Sequence, residues 1–340
     1  MYRKTHVLVD RTGYVIGVLV APPLPGEKWK TVHEKAAAKL REAREKMRFP
    51  TGAYEHRRSF DDNEGFPTDT RGYAFGGGMG SVGNVKSSSA HNTQIMDEVC
   101  ADPDVLRMVT YPIPPFQALC HPIYSDYRNN KHALLRQHPG LKRVFPRSPF
   151  AATTFNLGPF SVSPPHADRG NKADGFCLIG ALGTFDADKG GHIVLWDYNL
   201  IIHFPAGCSV LIPSAVVTHS NTPIQDGEER FSIIQYSAGG LFRWAANGFK
   251  SDLAWAATAT EEDLARREAA RQARWATALQ KFSRWKDVKV GNYMGRSRVE
   301  VWADAEAGDI SDLTDFESEG EEGGGDEEGE ERFPKKVRLA

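Results

Sequence analysis

The pattern of apolar and polar positions divides the chain into a mixed N-terminal region, a central series of short strands and a helical C-terminal region. Residues 5–20 hold two short apolar runs on either side of Arg11-Thr12-Gly13, which predicts a short hairpin. Residues 27–48 place Lys and Glu at helical spacing among alanines, which predicts a helix with a mostly solvated surface. Residues 50–92 are rich in Gly, Ser and Asp with little periodicity, so we expect a long loop there.

The central region has the texture of a β protein. Helices are predicted over 94–108 and 127–138, the second ending before Pro139-Gly140. From Ala151 onward, short β-rich runs are separated by Gly, Pro, Asn and Asp, and they cover residues 153–156, 176–184, 192–196, 200–204, 208–212, 216–219 and 231–236. Their regular spacing favours a sandwich or jelly roll over a parallel βαβ sheet, and with the flanking helices the fold class is α+β.

The C-terminal region begins with a helix signal. Thr260 followed by Asp263 predicts a cap, and the helix should run to about Trp285. We expect it to dock on the core through one apolar side, formed by Leu264, Trp275, Leu279 and Phe282. Its arginines would then form a solvated basic face, or alternatively a face that contacts phosphates.

Four segments are predicted along the chain. Residues 1–92 hold the hairpin, the first helix and the Gly/Ser-rich loop, and residues 93–245 hold the β core with its supporting helices. Residues 246–302 form a basic helical region. Residues 303–340 are predicted to be a disordered acidic tail with a terminal basic cluster, because their Glu-, Asp- and Gly-rich composition offers little to bury.

Charge sharpens this division. The 340 residues carry a net charge of -2, but residues 1–302 have 38 Lys+Arg against 30 Asp+Glu, a net charge of +8. Residues 303–331 contain 14 acids and no Lys or Arg. The simplest role for this tail is to keep the protein soluble, although it could also mimic nucleic acid or shield the basic body. Lys335-Lys336-Val337-Arg338 resembles a nuclear-import cluster, so we expect a nuclear protein, otherwise a cytoplasmic one.

Several protein classes are excluded. Four cysteines without a C-x-x-C spacing argue against a disulfide scaffold or a zinc knuckle. Every long uncharged run is broken by Pro, Gly or His, so we expect no signal peptide and no membrane span. Residues 78–83 match G-x-G-x-x-G, but more glycines precede them and Lys86 with three serines follows, which favours a flexible loop over a dinucleotide site.

A set of histidine, carboxylate and arginine residues carries the candidate chemistry. His166-Ala-Asp168 follows a predicted strand and the break at Pro164-Pro165. His219, 51 residues after Asp168, ends another predicted strand. Two imidazoles and one carboxylate on one face of a metal leave open positions, the arrangement found in non-haem Fe(II) oxygenases. These positions can take a 2-oxo acid and dioxygen.

An arginine and a serine follow at a spacing that suits a dicarboxylate. Arg230 and Ser232 lie on one face of the last predicted strand, where a guanidinium fork and a hydroxyl could share a carboxylate. His192 and His203 are competing metal ligands. Neither has an R-x-S sequel of this kind, and His203 fits a histidine of the sheet face, so His219 is preferred.

Together these residues resemble the double-stranded β-helix of the Fe(II)/2-oxoglutarate-dependent dioxygenases, over about residues 150–245. Within that superfamily, His166-Ala-Asp168-Arg-Gly-Asn171 resembles the TET/JBP group, which oxidises the methyl group of 5-methylcytosine or thymine. The wider pattern resembles a fungal type of that group, in residues 154–159, 181–186, 190–197 and 219–222. No cysteine-rich zinc region like that of the animal enzymes is present.

The resemblance implies an enzyme with Fe(II) and 2-oxoglutarate as cofactors. His166, Asp168 and His219 would hold the metal, Arg230 and Ser232 would anchor 2-oxoglutarate, and Asn171 would hold a base flipped from methylated DNA. The alternative for Asn171 is a turn-forming residue after Gly170. The alternatives for the whole chain are a hydroxylase of protein or small molecules and an inactive DNA-associated homologue. We expect a monomer.

Overall fold

Two β-sheets pack against each other in the computed structural model, and helices cover the outer face of the larger one. The structure describes residues 4–23, 26–53, 65–76, 78–289, 299–303 and 335–337. The larger sheet has the strand order β12-β1-β2-β9-β6-β11-β5-β3-β4, and the smaller has the order β10-β7-β8-β13. Apolar side chains fill the space between the sheets, with Ile179 and Ala181 of the larger sheet in one cluster with Ile193 and Leu195 of the smaller.

The strands are short, as the spacing of turn residues predicts. Their bounds are β1 Thr5–Val9, β2 Val15–Val20, β3 Thr68–Ala74, β4 Gly83–Asn84, β5 Ala152–Asn156, β6 Cys177–Thr184, β7 Ile193–Leu195, β8 Leu200–Ile202, β9 Ser209–Ile212, β10 His219–Asn221, β11 Glu229–Tyr236, β12 Val299–Ala303 and β13 Lys335–Val337.

The central strands form the predicted double-stranded β-helix. From β5 to β11 the chain passes back and forth between the sheets, with β5, β6, β9 and β11 in the larger one and β7, β8 and β10 in the smaller. Between β5 and β6, His166 pairs with His219 of β10 and so adds one more rung to the smaller sheet. The jelly-roll core predicted from the sequence is therefore confirmed.

Eight helices are described. They are α1 Gly26–Lys46, α2 Ala90–Ala101, α3 Pro103–Thr110, α4 Ile113–Leu119, α5 His121–Gln137, α6 Gly239–Ala246, α7 Asp252–Ala256 and α8 Glu261–Leu279. The helix predicted over 94–108 is two helices, because Asp102 caps α3 and Pro103 occupies its first turn. The end of α5 before Pro139 agrees with the prediction.

The first helix is more buried than its charges suggest. Trp29, Val32, Ala36 and Leu40 form a stripe at helical spacing that packs against the larger sheet. The expectation of a mostly solvated helix is therefore wrong. Lys and Glu cover only the outward side, and the apolar stripe between them anchors α1.

Two other predictions need correction. The long loop over 50–92 contains β3, which pairs with β5 inside the larger sheet, although residues 54–64 lie outside the described part of the chain. The strand predicted over 216–219 begins only at His219, because the amides of Val216 and Val217 both donate to the Pro213 carbonyl in a turn.

The last long helix differs most from its prediction. The capping box of Thr260 and Asp263 is present, yet Ala278 is the single buried residue of α8. Leu264 and Trp275 are 51% and 66% exposed, so the predicted docking side faces solvent. Docking begins beyond the helix, where Phe282 and Trp285 pack against the core.

Most of the acidic tail lies outside the described residues, and its predicted disorder stays a prediction. Lys335–Val337 runs parallel to β8, so part of the terminal basic cluster is strand β13. All four cysteines are buried and free. No helix within the described ranges is long and apolar enough to cross a lipid bilayer.

Candidate metal centre

Two histidines and an aspartate meet where the smaller sheet closes. His166 and His219 exchange backbone hydrogen bonds of 3.0 and 2.9 Å, which brings their rings to 4.3 Å between centroids. Asp168 is fixed by its own amide, which donates to the Ser214 carbonyl at 2.7 Å. The three side chains offer ligand atoms that all lie within 4.8 Å of one another.

A backbone carbonyl orients each imidazole, so that both rings point toward Asp168. Nδ1 of His166 lies 2.7 Å from the Pro164 carbonyl, and Nδ1 of His219 lies 2.9 Å from the Val217 carbonyl. A carbonyl only accepts, so each Nδ1 carries the proton and each Nε2 keeps a lone pair. Both Nε2 atoms lie 3.8 Å from an oxygen of Asp168. Metal-binding histidines are usually oriented by a backbone carbonyl in this way.

The donor set fits a non-haem Fe(II) site. Two neutral imidazoles and one carboxylate grouped on one side form the facial arrangement that suits non-haem Fe(II) and leaves coordination positions free for other ligands. Half-burial of His166 and Asp168 leaves one side of the group open to a cavity of about 570 Å³. A cavity of this size can take a small co-substrate together with part of a larger substrate.

A buried cation lies in the wall of this cavity. The Arg230 side chain on β11 is 2% exposed, and its guanidinium donates to the Ser161 carbonyl at 2.7 Å. Its Nε has no hydrogen-bond partner and no carboxylate pairs with it among the described residues. Burial lowers the pKa of Arg230 to about 10, so it stays charged at neutral pH. An uncompensated buried guanidinium of this kind fits the carboxylate of a bound ligand.

Ser232 lies beside Arg230 in the cavity wall, as the strand alternation predicts. Its hydroxyl accepts from Asn156 Nδ2 at 2.9 Å and can still donate to a ligand. The structure thus brings together the triad, Arg230 and Ser232 around one cavity.

Asn171 also lies in the cavity wall, close to the triad. Its Nδ2 donates to Ser214 Oγ at 3.1 Å and lies 3.5 Å from Asp168 Oδ2. Its backbone amide donates to the Asp168 carbonyl at 2.8 Å, so the turn predicted after Gly170 is present. The two interpretations of Asn171 are therefore compatible, because the turn itself places the amide group in the cavity wall.

A network of four charges holds the segment after Asn171. Lys172 pairs with Asp174 and, at 3.0 Å, with Asp126 of α5. Lys281 bridges the same two carboxylates at 2.9 and 2.8 Å. Lys172 is buried, and the pairing therefore offsets a desolvation cost that an isolated ammonium would incur. This network connects the cavity wall to α5 and to the segment beyond α8.

The competing histidines lie apart from the triad. The rings of His192 and His203 face each other at 5.9 Å, and His203 Nε2 lies 3.3 Å from Asp188. Within the described residues, the triad is the one group of three or more His, Cys, Asp or Glu side chains compact enough to hold a metal. Geometry therefore favours His219 over both alternatives.

A row of hydroxyl groups in the cavity wall was not predicted from the sequence. The Oγ1 atoms of Thr70 and Thr154 lie 2.7 Å apart across neighbouring strands. Thr154 Oγ1 also lies 3.4 Å from the hydroxyl oxygen of Tyr236. Asn221 ties the wall together by accepting from the Ser163 amide and donating to the Ser161 carbonyl. Alternation along 153–156 and 231–236 could have indicated Thr154 and Tyr236. Thr70 gave no signal, because its strand was predicted as loop.

Comparison with known proteins finds only distant likenesses. Neither a protein-family model nor a curated protein matches the chain. A structure described as NgTET1 in complex with 5mC DNA has a TM-score of 0.45 and 16% identity, covering 70% of this chain and 78% of that one. The structure of OsALKBH1 has a TM-score of 0.32 and 11% identity, covering 65% of this chain and 96% of that one.

A third similar structure is an oxidoreductase of the 2OG-Fe(II) oxygenase family from Burkholderia pseudomallei. Its TM-score is 0.24 and its identity 14%, covering 61% of this chain and 92% of that one.

Proposed function

We propose that the chain is an Fe(II)- and 2-oxoglutarate-dependent dioxygenase that oxidises the methyl group of 5-methylcytosine in DNA. The observation that carries the oxygenase part is the convergence of His166, Asp168 and His219 on one cavity with the buried Arg230, which pairs with no carboxylate among the described residues. The DNA part is supported by the resemblance of residues 166–171 to the TET/JBP group and by the position of Asn171 in the cavity wall.

Each residue has a defined task in this proposal. The Nε2 atoms of His166 and His219 and one oxygen of Asp168 would hold the metal. Arg230 and Ser232 would bind the distal carboxylate of 2-oxoglutarate. Bound Fe(II) with 2-oxoglutarate and dioxygen supplies the oxidising chemistry, and the co-substrate leaves as succinate and carbon dioxide. The half-buried triad limits access of water to that step.

Recognition of the substrate falls to Asn171, beside the triad, and to hydroxyl groups of the same cavity wall. A base inside a duplex cannot reach the triad, so it must be flipped out of the stack at a cost of a few kcal/mol. Asn171 donates to Ser214 through Nδ2, which leaves Oδ1 to accept from the exocyclic amine of cytosine. The hydroxyls of Thr154 and Tyr236 offer further polar contacts along the same cavity.

A direct assay tests the proposal. Protein purified without oxygen is incubated with Fe(II), 2-oxoglutarate, air and duplex DNA that contains 5-methylcytosine, and oxidised cytosines are measured by mass spectrometry. We expect oxidised bases and succinate from the wild type and neither from His219→Ala.

The other outcomes separate the alternatives. If succinate forms only when a protein or a metabolite is added and no oxidised base appears, the enzyme is a hydroxylase of another substrate. If the protein binds neither Fe(II) nor 2-oxoglutarate, the oxygenase proposal is wrong and the chain is a non-catalytic β scaffold.

A further inference from the structure

The positive charge of the body is concentrated in one segment. Residues 127–150 contain six Lys and Arg and no Asp or Glu, whereas residues 1–302 together have a net charge of only +8. This segment comprises most of α5 and the turn that follows it before β5. It is not part of the cavity that holds the triad.

Its exposed basic residues form one surface. Arg128, His132 and Arg136 follow each other at intervals of four along α5, so they form a stripe on one helical face, and all three are exposed. Three exposed Lys and Arg residues lie in the following turn: Lys142, Arg143 and Arg147. We call these six residues the α5 basic surface.

Two observations show that the turn lies against the stripe. Lys131 of α5 donates to the carbonyls of Phe145 and Ser148, at 3.1 and 2.6 Å, and so fastens the turn to the helix. The pKa of His132 is lowered by burial and then by the charges of Arg128 and Arg143, which belong to the helix and to the turn. The basic side chains of the helix and those of the turn therefore lie close together.

These charges are not neutralised within the described chain. None of Arg128, Arg136, Lys142, Arg143 and Arg147 forms an ion pair among the residues that the structure describes. The single acid on α5, Asp126, is already shared by Lys172 and Lys281.

The arginines of α8 provide the contrast. Arg266 pairs with Asp263, Arg267 with Asp252 and Arg271 with Glu268. A ligand with negative charge would have to compete with these carboxylates. The arginine face of α8 is therefore a weaker candidate for phosphate binding than the α5 basic surface.

The α5 basic surface and the cavity lie on different sides of the larger sheet. α5 packs on the helical side through Tyr127, whose hydroxyl donates to the Phe176 carbonyl, and through Leu134. Thr154 and Ser232 line the cavity from the other face of the same sheet. A ligand of the basic surface therefore leaves the cavity accessible.

We propose that the α5 basic surface binds the phosphodiester backbone of duplex DNA, at a stretch other than the one that places a base in the cavity. The stripe from Arg128 to Arg136 spans about 12 Å, which is a length that covers several phosphates of a duplex. Guanidinium groups suit phosphate oxygens because two N–H groups can donate in parallel. The inference rests on the proposed function only for the choice of DNA as the polyanion.

A membrane surface fits less well. Binding to lipid headgroups is normally reinforced by apolar side chains beside the basic ones. The large apolar side chains that are exposed in the described residues all lie elsewhere: Met79, Trp196, Val216, Leu253, Leu264, Trp275 and Leu279. Among the described residues, the α5 basic surface therefore has no exposed large apolar side chain.

A binding experiment tests the inference independently of catalysis. The full chain is titrated against a fluorescent duplex without 5-methylcytosine, without Fe(II) or 2-oxoglutarate, over a series of salt concentrations. One variant carries Arg128→Gln, Arg136→Gln and Arg143→Gln. The matched control loses the same charge in α8, through Arg266→Gln, Arg267→Gln and Arg271→Gln.

We expect the α5 variant to bind the duplex at least about tenfold more weakly at low salt. The slope of log affinity against log salt should decrease in magnitude by about 3, one for each lost phosphate contact. The α8 control should stay within about twofold of the wild type. Both variants should retain the far-UV circular dichroism spectrum and the melting temperature of the wild type.

Unchanged duplex binding in the α5 variant would overturn the inference. An equal loss in the α8 control would also overturn it, because net charge would then be the only determinant of binding. Tighter binding of the wild type to anionic lipid vesicles than to the duplex would be the third contradicting result. Because no methylated base is present, a failure of methylcytosine oxidation leaves these measurements interpretable. Loss of duplex binding in the α5 variant would likewise stand if the substrate proved to be another molecule.

Discussion

His166 and His219 are separated by 53 residues in the chain but exchange two backbone hydrogen bonds, each amide donating to the other's carbonyl at 3.0 and 2.9 Å. The pairing sets the distance between the rings before any metal binds. Because Nδ1 of each ring also faces a backbone carbonyl, neither imidazole has to reorient to present Nε2. The triad is therefore preorganised by the sheet.

His219→Ala should abolish metal binding, whereas His192→Ala should not. Removing one of the three proposed ligands would leave a two-ligand site, while His192 lies beside His203 and outside the triad. We expect the iron content of reconstituted His219→Ala to fall by more than tenfold and that of His192→Ala to stay near the wild-type level. Iron bound per chain, measured by atomic absorption, checks this. Equal losses in both variants would point to a site that includes His192.

Arg230→Met should weaken 2-oxoglutarate binding by about 10- to 100-fold, because it removes charge-assisted hydrogen bonds worth about 1.5–3 kcal/mol. Arg230→Lys should show an intermediate loss, since it keeps the charge without the planar fork. Anaerobic calorimetry of the Fe(II)-loaded protein measures both. Ser232→Ala provides the comparison and should lose less, because it removes one hydrogen bond from a neutral hydroxyl and leaves the charged guanidinium in place.

If Arg230→Met retained wild-type affinity for 2-oxoglutarate, the buried guanidinium would serve another ligand. The iron content of each variant, measured in the same samples, separates loss of the co-substrate from loss of the metal.

The order of the motif residues was enough to predict that these side chains meet, because each short spacing lies within one local segment. His166 and Asp168 lie two residues apart at one bridge of the smaller sheet, and Arg230 and Ser232 share one face of β11. What the sequence could not provide was the contact between distant segments. Thr70 reaches the cavity only because β3 pairs with β5, and that pairing is decided by tertiary packing in a segment of low periodicity.

The helices α1 and α8 show that the sequence pattern alone does not decide which amphipathic helix is buried. α1 and α8 both carry apolar residues at helical spacing among charges, and the sequence predicted burial for the wrong one. Trp29 is 2% exposed and its indole donates to the Gly207 carbonyl, whereas Trp275 is 66% exposed. An amphipathic pattern indicates which side of a helix can pack, but not whether a surface is available to receive it.

This contrast can be measured with two tryptophan substitutions. Trp29→Ala should lower the free energy of unfolding by about 3–5 kcal/mol, the usual cost of emptying a buried aromatic site. Trp275→Ala should change it by no more than about 0.5 kcal/mol. Urea titrations followed by far-UV circular dichroism provide both values. A large loss for Trp275→Ala would mean that α8 packs against the body or against a second copy in solution.

Asp69→Asn should stabilise the protein at neutral pH. Burial raises the pKa of the Asp69 carboxyl to about 6, although the Ser87 hydroxyl and Arg71 partly oppose this shift. The unfolded chain releases this proton near pH 4, so ionisation of Asp69 lowers stability progressively between about pH 4 and pH 6. The variant should therefore be more stable than the wild type by about 2–3 kcal/mol above pH 6, and the difference should disappear below about pH 4.

Urea titrations of the metal-free protein at several pH values check the prediction for Asp69. Asp97→Asn is the control with the opposite sign, because Asp97 pairs with the buried Arg71 and its loss should destabilise the protein at neutral pH. A difference between wild type and Asp69→Asn that does not vary with pH would show that the carboxyl of Asp69 is ionised throughout.

Asn171→Ala should separate substrate recognition from co-substrate binding. The side chain donates to Ser214 and approaches Asp168, but it is not one of the three ligands, so the variant should keep its iron and its affinity for 2-oxoglutarate. Loss of one hydrogen bond to a flipped cytosine should raise KM for methylated DNA or lower kcat by about 5- to 10-fold. Asn171→Asp is the sharper variant, because a second carboxylate 3.5 Å from Asp168 adds like charge at the metal and removes the donor to Ser214. If Asn171→Ala instead lost iron to the same extent as His219→Ala, the residue would act by supporting Asp168 and the contact to the base would have to come from the Thr154 and Tyr236 side of the cavity.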